Sequence, residues 1–300
     1  MAEPLINKFR IGIVGHGFVG KAVDYGFETP DVKKFLVDPK YDTTIDDLVE
    51  FNPNIVFVCT PTPMAEDGSV DSTATEDAVL KIIKKTNAGV ILKSTLPPQI
   101  IDRLAITIAI EKAHDRFVYN PEFLTENSAL EQFINSPVLI LGGTREACAA
   151  ASMIYSDFSM CVPGELIIVS AVEASFIKYG INSFLAMKVT FFNQLYDAVK
   201  DFGGSYHQIA NAIGRDPRVG TSHTRVPGFD FKRGFGGACF PKDLQAFVDF
   251  SDKLTLLEKC ININNDYRIQ YELGEREKEQ NVNYGEVEEE QQDQDNGSSS

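Results

Sequence analysis

The stretch Arg233-Gly-Phe-Gly-Gly-Ala-Cys239-Phe-Pro-Lys-Asp243 sets one cysteine between a glycine-rich turn and the predicted start of a helix. Pro241 suits a first helical position. Leu244, Phe247, Val248 and Leu254 supply one buried face for a helix expected to run to about Lys259. Cys239 would then lie just ahead of an N-terminus, where orphan N–H groups and the helix dipole favour a thiolate, and Lys242 adds positive charge. A free cysteine is more often a small core residue. Here the flanking glycines, which clear space for a ligand, and the adjacent Lys-Asp pair favour a covalent nucleophile.

Other residue types with chemical capacity fall at strand ends or on one helix. Lys178 and Asn182 stand at i and i+4 among apolar neighbours, so a crevice-lining helix would aim both at an oxygen that becomes negative during reaction. In Tyr119-Asn-Pro-Glu122-Phe123-Leu124-Thr125-Glu126 two carboxylates lie four residues apart. If helical they face one side, as general acid and base or as ligands for sugar hydroxyls; a solvated helix start rich in Glu is the plainer alternative. Thr95 ends another strand, pointing to the same crevice or capping a helix.

Gly15-His-Gly17-Phe18-Val19-Gly20 follows the apolar run 9–14 and opens a helical stretch, the context in which this glycine spacing has a physical role. The first glycine turns the chain, the second admits a pyrophosphate and the third lets helix pack on strand. Asp38 ends the next strand, where a carboxylate accepts from both ribose hydroxyls and repels a 2′-phosphate, favouring NAD over NADP. Thr60-Pro61-Thr62-Pro63 follows the third strand at the carboxyl edge of the sheet, as a cofactor-facing loop or a rigid turn.

These residues need a scaffold, and the pattern supplies one. Apolar runs at 9–14, 34–37, 55–59, 89–92, 116–119 and 138–141 alternate with helical patterns that include 72–86, 98–113 and 144–156. The alternation predicts an α/β fold: a Rossmann-type doubly wound parallel sheet, then a long central helix over about 172–202 and a small all-α region. A shorter helical region, 205–213, leads through the loop 214–235 to the cysteine. The expected division is an NAD-binding domain at 1–170, a central helical dimerisation and catalytic domain at 171–270, and an acidic disordered tail at 271–300.

Composition narrows the class. The net charge of −15 argues against a nucleic-acid surface, and residues 275–300 hold nine acids and two bases of that balance. No window approaches the roughly 20 apolar residues of a membrane span, and the first ten residues do not resemble a signal peptide, so a cytoplasmic protein is expected. Five cysteines without CxxC pairs argue against structural disulfides and a cysteine metal site.

Taken together, Gly15–Gly20, Ser94-Thr95, Asn120–Glu126, Lys178–Asn182, Asp216-Pro-Arg218-Val-Gly220 and Gly234–Asp243 occur in the order found in the UDP-glucose/GDP-mannose dehydrogenase family, which the chain resembles over about residues 9–268. The resemblance implies a four-electron, NAD-dependent oxidation of a nucleotide sugar's primary alcohol, with UDP-glucose the first candidate, and a place in polysaccharide biosynthesis. It implies Cys239 as the covalent holder of an aldehyde, Lys178 and Asn182 as oxyanion donors, and Asp243 as a proton-transfer partner of Lys178. Thr95 and Glu126 would position water or act as base. Glu122, Phe123, Leu124, Arg218, Phe235 and Gly236 would meet the substrate, Arg218 across a homodimer built on the long helix.

The chain departs from the family's pattern at residues 226–233, which look like a short insertion. After Arg268 it passes into the acidic tail, where family members continue into a third, α/β domain, so the chain is expected to lack that domain. Two other readings follow. A two-electron dehydrogenase of the 3-hydroxyacid type also joins a nucleotide domain to a helix bearing Lys and Asn, without need of Cys239. A binding remnant would hold NAD and not the sugar.

Overall fold

The computed structural model describes residues 8–125 and 128–285. Seven strands, Phe9–Val14 (β1), Val32–Val37 (β2), Ile55–Val58 (β3), Gly89–Leu92 (β4), Phe117–Tyr119 (β5), Val138–Gly143 (β6) and Glu165–Val169 (β7), form one sheet in the order β2-β1-β3-β4-β5-β6-β7. Central strands such as Ile-Val-Phe-Val in β3 are buried throughout, because helices cover both faces. Alternate residues feed two apolar layers: Val56, Val58, Val90 and Leu92 face Ile82, Leu104 and Tyr179, while Ile13, Phe57 and Ile91 face Val23, Phe27 and Tyr155.

Helices Phe18–Gly26 (α1), Ile45–Phe51 (α2), Thr73–Lys85 (α3), Pro98–Ile110 (α4), Ala129–Ile134 (α5) and Arg145–Phe158 (α6) accompany the sheet. The long helix Ala171–Asp201 (α7) follows, opened by a capping box in which Ser170 Oγ accepts from Glu173 N and Glu173 Oε2 accepts from Ser170 N. At 1.5 Å per residue it runs for about 46 Å. It leaves the sheet and packs on Phe240–Phe250 (α9) and Thr255–Arg268 (α10), with Tyr206–Gly214 (α8) against its far end.

Three expectations are corrected. The sheet is parallel except between β5 and β6, where Val118 faces Gly143 and Tyr119 faces Gly142 in antiparallel register. The connection, residues 120–137, holds the six-residue α5 and leaves the chain beyond the carboxyl end of β5, where β6 starts and runs the other way. The helix after Cys239 is also not continuous to Lys259, because α9 stops at an extended Ser251 and α10 begins at Thr255. Finally, residues 275–285, assigned to a disordered tail, are ordered. Glu275–Glu279 is helical (α11), and Glu277, Val282 and Tyr284 are buried. The composition that suggested disorder conceals three anchoring side chains. Residues 286–300 lie outside the described residues.

Candidate active site

Cys239 is the N-cap of α9, half-buried, with Pro241 in the first turn as expected. The charges around it come from three elements. Lys178 of α7 is buried, donates from Nζ to the Glu122 carbonyl, and lies 3.3 Å from Glu122 Oε1. One turn on, Asn182 Nδ2 donates to Asp243 Oδ2 at 2.7 Å, and Lys242 Nζ lies 2.6 Å from the other Asp243 oxygen. Asp243 is only 1% exposed, so these contacts replace its lost hydration.

Electrostatics correct the thiolate expectation. Burial pushes the Cys239 thiol up to about 11, and Asp243 and Glu122 push the same way against Lys178 and Lys242. Lys242 is already committed to Asp243 and Lys178 to Glu122, so the helix terminus and these paired cations do not outweigh burial. At rest Cys239 is a neutral thiol. Lys178 is the converse: burial alone would depress it, but the charges of Glu122 and Asp243 and its hydrogen bond to Glu122 act against burial and hold it above its ordinary value.

Residues 120–125 are irregular, so Glu122 presents itself from a loop and not from a helix start. Its Oε2 accepts from Leu124 N at 2.6 Å, and Phe123 places its ring 5.1 Å from Lys178 Nζ. The loop is anchored by Asn120, whose Oδ1 accepts from Lys93 Nζ and Tyr155 Oη and whose Nδ2 donates to the Ile140 carbonyl. Lys93 went unnoticed in the sequence, although it directly precedes Ser94-Thr95 at the end of an apolar strand. Burial lowers its pKa to about 8. Thr95 is buried at the same edge; α4 takes Pro97 as its N-cap, so Thr95 is not its cap.

The cofactor turn fits its expected group on geometry. Gly15 has φ +86°, and a Cβ at Gly20 would lie 2.0 Å from the Gly15 carbonyl oxygen, whereas a Cβ at Gly17 would meet nothing within 4 Å. Two glycines thus serve the fold and one leaves backbone open to a ligand. Asp38 directly follows β2 and accepts from His16 N at 2.7 Å and Lys40 N at 3.1 Å. Burial acts to raise its pKa, but those N–H donors and the Lys40 charge overcome it and keep the carboxyl below its usual range. Thr60 Oγ1 bonds Thr75 and Ser94 hydroxyls, fixing the loop that carries Pro61 and buried Thr62.

Some expected residues are elsewhere. Arg218 is on the surface, its guanidinium forked onto Asp216 at 2.7 and 3.0 Å, and is not among the groups around Cys239. Phe235 is buried with Ala186, Leu244 and Cys260, a packing role beside the half-buried Gly236. Glu126 lies outside the described residues. Three further side chains bear on the cysteine turn without having been foreseen. Asn193 Oδ1 accepts from Gly234 N, Asn264 bonds both backbone groups of Phe235, and Glu277 accepts from Gly237 N. Isolated amides on amphipathic helices carry no sequence signal for this task.

Comparison with known proteins agrees with this geometry. The NAD-binding domain of the UDP-glucose/GDP-mannose dehydrogenase family matches residues 32–159, and the central domain of that family matches residues 172–266. The YtcA protein of Bacillus subtilis (strain 168) is 33% identical over 271 residues, 79% of this chain and 62% of that one. UDP-glucose 6-dehydrogenase of Rickettsia felis is 30% identical over 198 residues, 65% of this chain and 43% of that one. The chain therefore spans about half the length of these curated relatives. A UDP-glucose dehydrogenase structure from Pyrobaculum islandicum superposes with TM-score 0.69 at 26% identity, covering 89% of this chain and 70% of the other. A 3-hydroxyisobutyrate dehydrogenase from Mycobacterium tuberculosis shares the fold at 15% identity and TM-score 0.68, covering 92% and 97%.

Proposed function

The chain belongs to the UDP-glucose/GDP-mannose dehydrogenase family, and from that premise we propose that it oxidises the primary alcohol of a nucleotide sugar, UDP-glucose first among the candidates, to the carboxylate. The observation that carries this reading is the half-buried Cys239 set among the buried Lys178, Asn182, Asp243 and Glu122, drawn from a helix start, the long helix and a strand-end loop. The residues proposed to hold NAD are Gly15, Gly17, Phe18, Val19, Gly20, Asp38, Thr60, Pro61, Thr62 and Thr95. NAD bound there supplies the two-electron acceptor for each of two oxidations.

The chain's own residues account for the rest. After the first oxidation the substrate is an aldehyde; Cys239 Sγ bonds its carbon as the thiol proton passes to Asp243, the proposed proton-transfer partner, and the carbonyl oxygen takes up negative charge. Lys178 Nζ and Asn182 Nδ2 are the fixed donors for that oxygen, effective because both side chains are buried and their positions are preset by Glu122 and Asp243. The adduct holds a C–H for the second oxidation, which yields a thioester. Water then cleaves the C–S bond, releasing the acid and restoring the thiol. Thr95 and Glu126 are the proposed handlers of that water, Glu122, Phe123 and Leu124 the substrate-side loop.

Exposed Ile181, Phe184 and Phe191 lie along one side of α7 and support a homodimer built on that helix, with Arg218 serving a neighbouring site. Among the described residues no helix is long and apolar enough to cross a membrane. The test is stoichiometric: about two NADH form per nucleotide sugar consumed. A ratio of one, or unchanged turnover in Cys239→Ala, would sink the four-electron reading.

A further inference from the structure

The glycine turn carrying Cys239 is held by a residue from the far end of the described chain. Glu277 Oε1 accepts from Gly237 N at 3.2 Å, two residues ahead of the cysteine. Glu277 is 3% exposed, and the same oxygen takes Arg268 Nη2 at 2.6 Å and the Tyr284 hydroxyl at 2.7 Å. Gly236 lies against this group: a Cβ there would come within 2.3 Å of the Arg268 guanidinium and 2.5 Å of Glu277 Oε1. Turn and carboxylate dictate each other's position, since neither has space to yield.

The same segment also touches the cofactor side. The Gln280 carbonyl accepts from Met64 N at 3.0 Å, and Asn281 Nδ2 donates to the Met64 carbonyl at 3.2 Å. The Arg276 guanidinium lies 5.3 Å over the Phe18 ring. Met64 directly follows the Thr60–Pro63 loop, and Phe18 directly follows the open Gly17.

We propose that residues 274–285 are a strap tying the cysteine turn to the cofactor loops, with Glu277 the positioning residue through which cofactor occupancy sets the exposure of Cys239. The joint is stiff for a physical reason. A carboxylate with an arginine, a hydroxyl and an amide as donors makes charge-assisted bonds, and Arg268, 1% exposed, cannot lose that partner without becoming an incompletely compensated buried charge. A displacement of Met64 or Phe18 is then passed to Gly237. The inference rests on the dehydrogenase reading only for what Cys239 does.

The test uses the full chain and iodoacetamide, reading Cys239 modification by peptide mass spectrometry with and without saturating NAD+. In the wild type NAD+ slows modification by about threefold or more, as expected for a local opening equilibrium that the ligand shifts. Glu277→Gln and Asn281→Ala each bring the two rates to within about 1.5-fold, while calorimetric NAD+ affinity stays within about twofold of wild type. Protection that persists undiminished in both variants is steric shielding by the cofactor and overturns the proposal, as does a wild type whose rate ignores NAD+. Should Glu277→Gln not fold, Tyr284→Phe removes one donor and leaves the carboxylate, with a smaller change of the same sign. Failure of the dehydrogenase reading appears separately, as a wild type that makes no NADH from any nucleotide sugar while its alkylation pattern is as stated.

Discussion

Alkylation of Cys239 as a function of pH measures the balance of burial against local charge directly. The thiol is displaced from 9.0 to about 11, with burial the largest cause and Asp243 next. Two units favour the neutral form by about 2.7 kcal/mol. At pH 8 the thiolate fraction is then about 10⁻³, against about 10⁻¹ for an unshifted group. A more basic thiolate is also a better nucleophile, which returns a factor of about eight for a two-unit rise. The net expectation is modification about tenfold slower than a thiol of ordinary pKa with the same access, with a log rate that climbs about one unit per pH unit to about pH 10. The assay is timed quenching of iodoacetamide with quantification of the Cys239 peptide, Cys239→Ser fixing the background. Asp243→Asn removes the largest charge opposing the thiolate and moves the profile to lower pH. A wild-type plateau with its midpoint below about pH 8 would refute the reasoning, because the helix terminus and Lys178 would then outweigh burial.

The glycine turn predicts a contrast: Gly20→Ala forces a Cβ against the Gly15 carbonyl and destabilises the protein by about 1–3 kcal/mol or more, while Gly17→Ala changes stability by less than about 1 kcal/mol and lowers calorimetric NAD+ affinity at least tenfold. Equal loss of melting temperature in both would contradict it. Lys93 predicts a pH effect on stability. Its folded pKa of about 8 lies below the ordinary 10.5, so between those values the unfolded chain binds more protons and stability rises with pH, by about 3 kcal/mol in all. Below about pH 8 both states are protonated and the contribution is flat, so denaturant titrations of wild type and Lys93→Met should diverge in slope only across that alkaline window. Parallel curves there mean that Lys93 is not depressed by burial.

Much of the fold was legible because its signals are local. A buried parallel strand is a short apolar run, and six of seven strands were found that way. The seventh, β7, was missed; it is an edge strand with Leu166 and Ile168 exposed, so it lacks the fully buried apolar character of the central strands. The reversed β6 was not legible, since strand direction depends on where α5 deposits the chain and not on strand composition. Site legibility divides the same way. Gly15, Gly17, Gly20 and Cys239 stand out because turns and helix starts demand particular residue types. The charge state of Cys239 did not, because burial and the Lys242–Asp243 pairing are properties of the assembled site. The ordered strap was hidden for a related reason. Glu277, Val282 and Tyr284 are separated by polar residues, so no periodic apolar face marked them, and overall acidity dominated the reading.

Four buried charges around one thiol invite a stability argument, but the more economical account is chemical. Buried ion pairs do little better than apolar replacements of the same shape, because desolvation offsets their attraction. What Glu122–Lys178 and Lys242–Asp243 provide is a fixed field. At rest burial, with Asp243 and Glu122 beside it, disfavours a negative sulfur, so Cys239 stays protonated and less open to oxidation. In the proposed reaction, when Sγ adds to the aldehyde, the negative charge appears on oxygen, beyond the sulfur, where Lys178 and the Asn182 amide are the proposed donors. A neutral resting thiol and an effective covalent catalyst are then compatible: the site stabilises the charge where the proposed reaction develops it and withholds that stabilisation from the sulfur alone.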